Sequence, residues 1–280
     1  MYLAHFGFTQ PPFHLTPDTS LFLALPPYYE ALQTIDTALE MGEGIIKLTG
    51  EVGTGKTMVC RMLLSHLADS YTLIYLPNPA LSGRELRRVI ASELGLPEMD
   101  PANLVDHIHK ALLSLHYKKQ RIVILVDEAQ ALPDDALEGL RLFGNLETDQ
   151  DKLLQMVLIG QPELDQRLEQ HHLRQLRQRI TFNAMLRPLT LSEAVSYIDN
   201  RLILAGGSDS QFSLLQKKMV WRASRGIPRV INQICQKSLL LSFYKQNLYV
   251  DTRSVFTAIH DCSDTRKPRF KVPFFWGWSQ

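Results

Sequence analysis

Cysteine is scarce in this sequence: Cys60, Cys235 and Cys262 are the only three, they stand far apart, and no two share a CxxC spacing. So small and scattered a set supplies neither a disulfide scaffold nor a zinc cage, and each reads as a small core residue of a cytosolic protein. Long apolar runs are missing too; no stretch approaches the roughly 18 apolar residues of a spanning helix. The first residues, Met1 to Phe6, carry no basic region and soon meet Pro11-Pro12, so no ordinary secretory signal peptide is expected. Nor is one sign of charge in surplus. Lys and Arg number 30 against 29 Asp and Glu, which leaves no overall field to attract nucleic acid or an anionic membrane. Repeats and low-complexity segments are absent, and the adjacent His171-His172 lie in a polar helical stretch that reads as a solvated face rather than a metal site.

What the sequence does have is apolar residues in abundance, 45% of 280, enough for one large or two modest packed domains. It also has one unmistakable loop. Gly50-Glu51-Val52-Gly53-Thr54-Gly55-Lys56-Thr57, with Met58 directly after it, stands where the apolar strand Ile45-Ile46-Lys47-Leu48 hands over to a helix starting near Lys56. Backbone N–H groups of such a turn can wrap phosphate oxygens, because glycines tolerate positive φ and put no Cβ in the way. Lys56 can reach the β and γ phosphates of ATP, Thr57 offers a hydroxyl to Mg²⁺, and the helix N-terminus adds its own attraction for anions. A second motif follows about seventy residues later. Arg121-Ile-Val-Ile-Leu-Val-Asp-Glu-Ala-Gln130 holds an apolar run too uniform for a one-sided strand, and it ends in two carboxylates. Asp127 at the strand tip is placed to hold Mg²⁺ through water, and Glu128 to orient and deprotonate an attacking water.

Residues 1–25, rich in proline and aromatics without periodicity, read as an irregular arm packed on the domain that follows. The residues 27–41 give a helical pattern closed by Gly42. Strands are expected at 45–49, 72–76, 122–126, 154–159 and 180–184, with helices near 56–68, 83–94, 102–116, 134–147 and 163–178 between them. That alternation predicts an α/β fold with a doubly wound five-stranded parallel sheet over residues 26–188. Strands then stop. Helices at 191–205, 212–224, 228–245 and 252–262 predict a helical lid over residues 189–262, leaving a basic and aromatic tail at 263–280.

Phosphate loop, Asp-Glu strand and helical lid in that order resemble an AAA+ ATPase. Phe6-Gly-Phe-Thr-Gln-Pro-Pro-Phe-His-Leu-Thr-Pro-Asp18, Glu30-Ala31-Leu32 and Leu158-Ile-Gly-Gln-Pro-Glu-Leu164 resemble, more narrowly, the ExeA or general secretion pathway protein A family. Within it the chain is similar to the short form that serves biogenesis of a mannose-sensitive-haemagglutinin type IV pilus. The resemblance implies an ATP-hydrolysing, oligomeric, cytoplasmic P-loop NTPase that works with pilus or secretion machinery at the inner membrane. It also adds site residues. Gln161 falls where sensor 1 stands, a place more often held by Asn or Thr; Asn78 resembles the residue that holds the catalytic glutamate off-line until a partner binds. Arg229 in Gly226-Ile-Pro-Arg229 resembles sensor 2. Among Arg174, Arg177 and Arg179, the resemblance implies an arginine finger acting on the next subunit, with Arg179 favoured and Arg177 behind it. Tyr28 stands where the pattern usually has His, near the expected adenine pocket. The tail from Arg266 to Trp278 suits either a peripheral membrane contact or a partner-docking peptide. A nucleic-acid ATPase of the transposition-helper or replication-initiator kind is the alternative, disfavoured by the charge balance and by the lack of an appended DNA- or RNA-binding motif.

Overall fold

The computed structural model describes residues 1–267 except 17–18, 78–79, 99, 101–102 and 149–150. Two compact units form: one contains Met1–Pro27, Gly53–Gly55 and everything from Arg187 on, the other Tyr28–Val52 and Lys56–Leu186. In chain order, α1 (Tyr2–Phe6) and α2 (Pro26–Glu40) precede β1 (Ile45–Gly50), α3 (Lys56–Leu67), β2 (Tyr71–Leu76), α4 (Gly83–Glu93) and α5 (Leu104–Tyr117). There follow β3 (Arg121–Val126), α6 (Asp134–Phe143), β4 (Gln155–Gly160), α7 (Pro162–Leu168), α8 (Arg174–Arg177) and β5 (Ile180–Leu186).

The strands make one parallel sheet ordered β2-β3-β4-β1-β5, the five-stranded arrangement that the alternating pattern predicts. The uniform apolar runs of β3 and β4 occupy the middle, where β3 from Ile122 and all of β4 are buried on both faces. Lys47, the one charge inside β1, is answered by an ion pair with Asp165 on α7. At the start of β4, the Gln155 amide donates to the carbonyls of Leu39 and Glu43, both at 3.0 Å, and so ties α2 to the sheet. The order matters for function. After β1 the chain skips past β4 and β3 to build β2 at the edge, then returns, so the strand order reverses beside β1. Ligands of such sheets bind outside the carboxyl ends of the strands at that reversal.

Two helices expected from the sequence end differently. The one expected over 163–178 is three pieces, α7, a 3-10 turn at His171–Leu173, and α8. Gln170 is extended (φ −64°, ψ 143°), and the break lets Leu168, Leu173 and Leu176 all reach the core. Burial of three leucines outweighs helical continuity here. The helix expected to reach 147 stops at Phe143, and Glu147 instead pairs with Lys152 in an isolated antiparallel bridge.

In the other unit lie α9 (Leu191–Leu204), α10 (Leu214–Ser224), α11 (Pro228–Tyr244) and α12 (Thr252–Asp261). Capping boxes start α9 (Thr190 with Glu193) and α10 (Ser213 with Gln216). The N-terminal segment, read as irregular, contains α1 and packs among these helices: Phe6, Phe8 and Phe13 are buried, and Phe13 meets Phe212 edge-on at 6.2 Å. Thr9 adds two bonds to the Ala205 carbonyl, from N at 2.8 Å and Oγ1 at 3.0 Å. At the far end Lys267 closes α12, its Nζ donating to the carbonyls of Ile259 (3.3 Å), Cys262 (2.7 Å) and His260. A cation over the carbonyl end of a helix is where the helix dipole favours it. Among the described residues no helix is long and apolar enough to cross a membrane.

Candidate nucleotide-binding site

The tips of β3, β4 and β1 stand side by side, which brings together the residues that the sequence separates by more than a hundred positions. Gly50 ends β1, Asp127 and Glu128 follow β3, and Gln161 follows β4 between them. With neighbouring strands about 4.8 Å apart, the ends of β1 and β3 lie roughly 10 Å apart with β4 between them.

Lys56 and Thr57 form the first turn of α3. Lys56 is only 5% exposed, and its Nζ donates to the carbonyls of Gly50 (2.8 Å) and Glu51 (3.1 Å). Burial lowers its ammonium from the ordinary lysine value, while the Glu128 and Asp127 carboxylates oppose that shift. A buried cation whose hydrogen bonds go to two loop carbonyls is well suited to an anionic ligand. Glu51 and Val52 are exposed, Met58 is half-buried, and Thr54 is buried. Gly53 and Gly55 take φ of 84° and 105°. Gly53 is constrained by space as well. The Arg229 N–H donates to its carbonyl at 3.1 Å, and a Cβ at position 53 would stand 2.7 Å from the Arg229 Cβ.

Asp127 is buried, and that burial raises its carboxyl above the ordinary aspartate value; the Glu128 N–H (2.9 Å), Lys56 and a hydrogen bond from the Thr57 hydroxyl work against the rise. A carboxylate short of positive charge, touching a threonine hydroxyl, is an all-oxygen donor set that fits a hard divalent cation such as Mg²⁺. Beneath it the floor is neutral: desolvation pushes the Cys60 thiol and the Tyr75 hydroxyl, hydrogen-bonded to each other, each up to about 12. Glu128 adopts left-handed backbone (φ 54°, ψ 39°), costly for a residue with a Cβ and found mainly where surroundings impose it. Its Oε2 accepts from the amides of Gln161 (3.0 Å) and Gln130. Burial pushes the Glu128 carboxyl up, but those amides and the Lys56 charge outweigh it and leave it below the ordinary glutamate value.

Of the arginines, Arg229 is the second residue of α11, exposed beyond its backbone bond to Gly53. Arg174, Arg177 and Arg179 are exposed around α8 and form no ion pair with a described residue. Asn78 and the tail beyond Lys267 lie outside the described residues. Sequence reasoning overlooked Gln130, Tyr75 and Arg167. Arg167 on α7 donates to the carbonyls of Gln130 (2.8 Å) and Leu132 and pairs with Asp134, bracing the segment after Glu128. No spacing rule marks such a brace; only the break in the loop after β3 creates it.

This fold, with a glycine loop, a buried lysine and paired carboxylates at adjacent strand tips, defines a P-loop NTPase of the AAA+ class. An AAA domain is matched by residues 39–168. General secretion pathway protein A of Aeromonas hydrophila is 41% identical over 269 residues, covering 95% of this chain and 49% of that protein. The chain therefore belongs to the AAA+ ATPase family of general secretion pathway protein A, and it spans about half the length of that relative. Among solved structures, the ORC2 protein of Aeropyrum pernix, titled as ADPNP and ADP complexes, superposes with a TM-score of 0.64 at 13% identity, covering 91% of this chain and 72% of that one. The RuvB Holliday junction branch migration motor of Thermotoga maritima gives a TM-score of 0.57 at 18% identity, covering 90% and 73%. At such identities the likeness is one of fold.

Proposed function

We propose that the chain is an ATPase that couples hydrolysis to assembly of an envelope machine, a type IV pilus or a type II secretion system, from the cytoplasmic side. The observation that carries the catalytic half is the meeting of Lys56, Asp127, Glu128 and Gln161 at three neighbouring strand tips. Kinship with general secretion pathway protein A supports the secretion half. The nearly balanced charge supports it over a nucleic-acid role.

In this reading the loop from Gly50 to Thr57 binds the triphosphate, and Lys56 exchanges its two loop carbonyls for phosphate oxygens. Thr57 and Asp127 hold Mg²⁺, which when bound screens the charge of the phosphates. Glu128 accepts a proton from the attacking water through the oxygen its amide donors leave open, and Gln161 holds that carboxylate in line. Arg229, whose N–H is bonded to Gly53, serves as sensor 2 for the terminal phosphate. Arg179, exposed, acts on the nucleotide of a neighbouring copy, so full activity requires a homo-oligomer. Asn78 restrains Glu128 until a partner binds. The tail gives a reversible membrane contact or docks a partner.

Crosslinking in cells that carry Glu128→Gln, compared with the wild type, tests the coupling. Trapping of pilus or secretion proteins of the inner membrane is the expected result. Recovery of nucleic acid in their place would favour the replication-initiator or transposition-helper alternative.

A further inference from the structure

Resting on the ATPase reading above, we infer that Gln130 is a positioning residue for Glu128: it bridges the tips of β3 and β4 and thereby fixes which carboxylate oxygen of Glu128 faces the water. The bridge has a defined direction. The Gln161 backbone N–H can only donate, and it points at Gln130 Oε1 at 3.0 Å. Gln130 Nε2 must then face the other way, and it does, donating to Glu128 Oε2. Gln161 Nε2 donates to that same oxygen at 3.0 Å. Two amides therefore hold Oε2, and no described residue claims Oε1.

Three features built around Gln130 indicate a placed side chain rather than a chance contact. The left-handed turn at Glu128 (φ 54°) brings a residue two positions later back onto its own carboxylate. Gly160 makes room, for a Cβ there would lie 3.0 Å from Gln130 Oε1 and 2.9 Å from Leu164 Cδ2. Arg167 holds the Gln130 carbonyl from below at 2.8 Å while pairing with Asp134, which also meets His172 Nε2 at 2.8 Å. The backbone of Gln130 is thus fixed from α7 and its side chain from β4.

The chemical consequence follows from the two donors. Both amides hold the same Glu128 oxygen, so removing one leaves the carboxylate a single tether. Freed in this way, the carboxylate should leave its working orientation more often, and a misplacement of that kind costs about ten- to a hundredfold in rate.

The test is Gln130→Met, which keeps the bulk and deletes donor and acceptor, beside Gln130→Glu, which keeps an acceptor for the Gln161 N–H and deletes the donor to Glu128, with Glu128→Gln as reference. Full-length proteins are compared for ATP affinity, KM, kcat and melting temperature. The expected result is unchanged ATP affinity in all three, with kcat lowered about tenfold or more at unchanged KM in Gln130→Met and Gln130→Glu. A Gln130→Met protein with wild-type kcat, where Glu128→Gln is dead, would overturn the role of Gln130 alone. Retained turnover in Glu128→Gln would instead overturn the role of Glu128 as the base, and no turnover in the wild type would overturn the ATPase reading on which the inference rests. Lower melting temperature with kcat unaltered would make Gln130 a structural strut and equally refute the inference.

Discussion

Lys56 and Asp127 are the two charged residues of the site that the fold buries, and burial disfavours the charged form of each. Nothing about packing requires them, since an apolar pair of similar volume would fill the space at less desolvation cost. Their retention is explained by the triphosphate and cation they are placed to meet. Gly53 is the neighbouring position where geometry leaves least freedom, because positive φ and the close Arg229 Cβ both exclude a side chain. Gly53→Ala should therefore destabilise the protein by more than about 1 kcal/mol and weaken nucleotide binding. Calorimetric unfolding and nucleotide titration check both, and a variant equal to wild type in each would mean that the loop and Arg229 separate at no cost. The phosphate loop and the Asp-Glu strand were legible in sequence because their chemistry lies in contiguous residues. Gln130 was not, because its function depends on a left-handed turn at Glu128 and on a partner at Gln161 some thirty residues away.

Secondary structure was read well wherever periodicity reflected burial on one consistent face, as in β1, β3, α9 and α11. It failed where local burial competes with continuity, at Gln170 and after Phe143. Helix starts were set by chemistry as much as by pattern, and α9 gives a pH-dependent case. Arg187 grips both Glu193 oxygens at 2.8 Å, and with the Thr190 cap this holds the carboxyl down to about 2 from the ordinary 4.5. A carboxyl lowered on folding stabilises the folded state above its unfolded pKa, and the gain fades as pH falls through 4.5 toward 2. Glu193→Gln keeps the acceptor that the cap needs but loses the charge. Urea midpoints should place it below wild type at pH 6, with the gap narrowing as pH falls from 4.5 toward about 2. A gap constant across that window would assign the effect to packing instead.

For the molecule as a whole, each unit holds residues of its own that the sequence singles out: Lys56, Asp127 and Glu128 in the sheet unit, and Gly53 bonded to Arg229 in the helical one. The arm at the N-terminus belongs to the helical unit too, through Phe6, Phe8 and Phe13, which no periodicity announced. Lys267, in the basic stretch that follows α12, closes that helix with its ammonium. Exposed arginines near α8 give the prediction that belongs to the assembly. Arg179→Ala subunits should bind ATP normally and hydrolyse it poorly, and mixing them with Lys56→Ala subunits should restore part of the activity through the intact composite sites. Absence of rescue at every ratio, with assembly verified by sedimentation, would remove Arg179 from the role of finger.

Separating binding from turnover tests whether this site is a hydrolytic one. Nucleotide affinity and steady-state ATP hydrolysis, measured side by side on wild type, Lys56→Ala and Glu128→Gln, should show affinity lost in Lys56→Ala alone. Glu128→Gln should bind ATP as wild type does and turn it over at least about a hundredfold more slowly. Wild-type turnover in Glu128→Gln, or equal loss of affinity in both variants, would contradict the assignment of these residues.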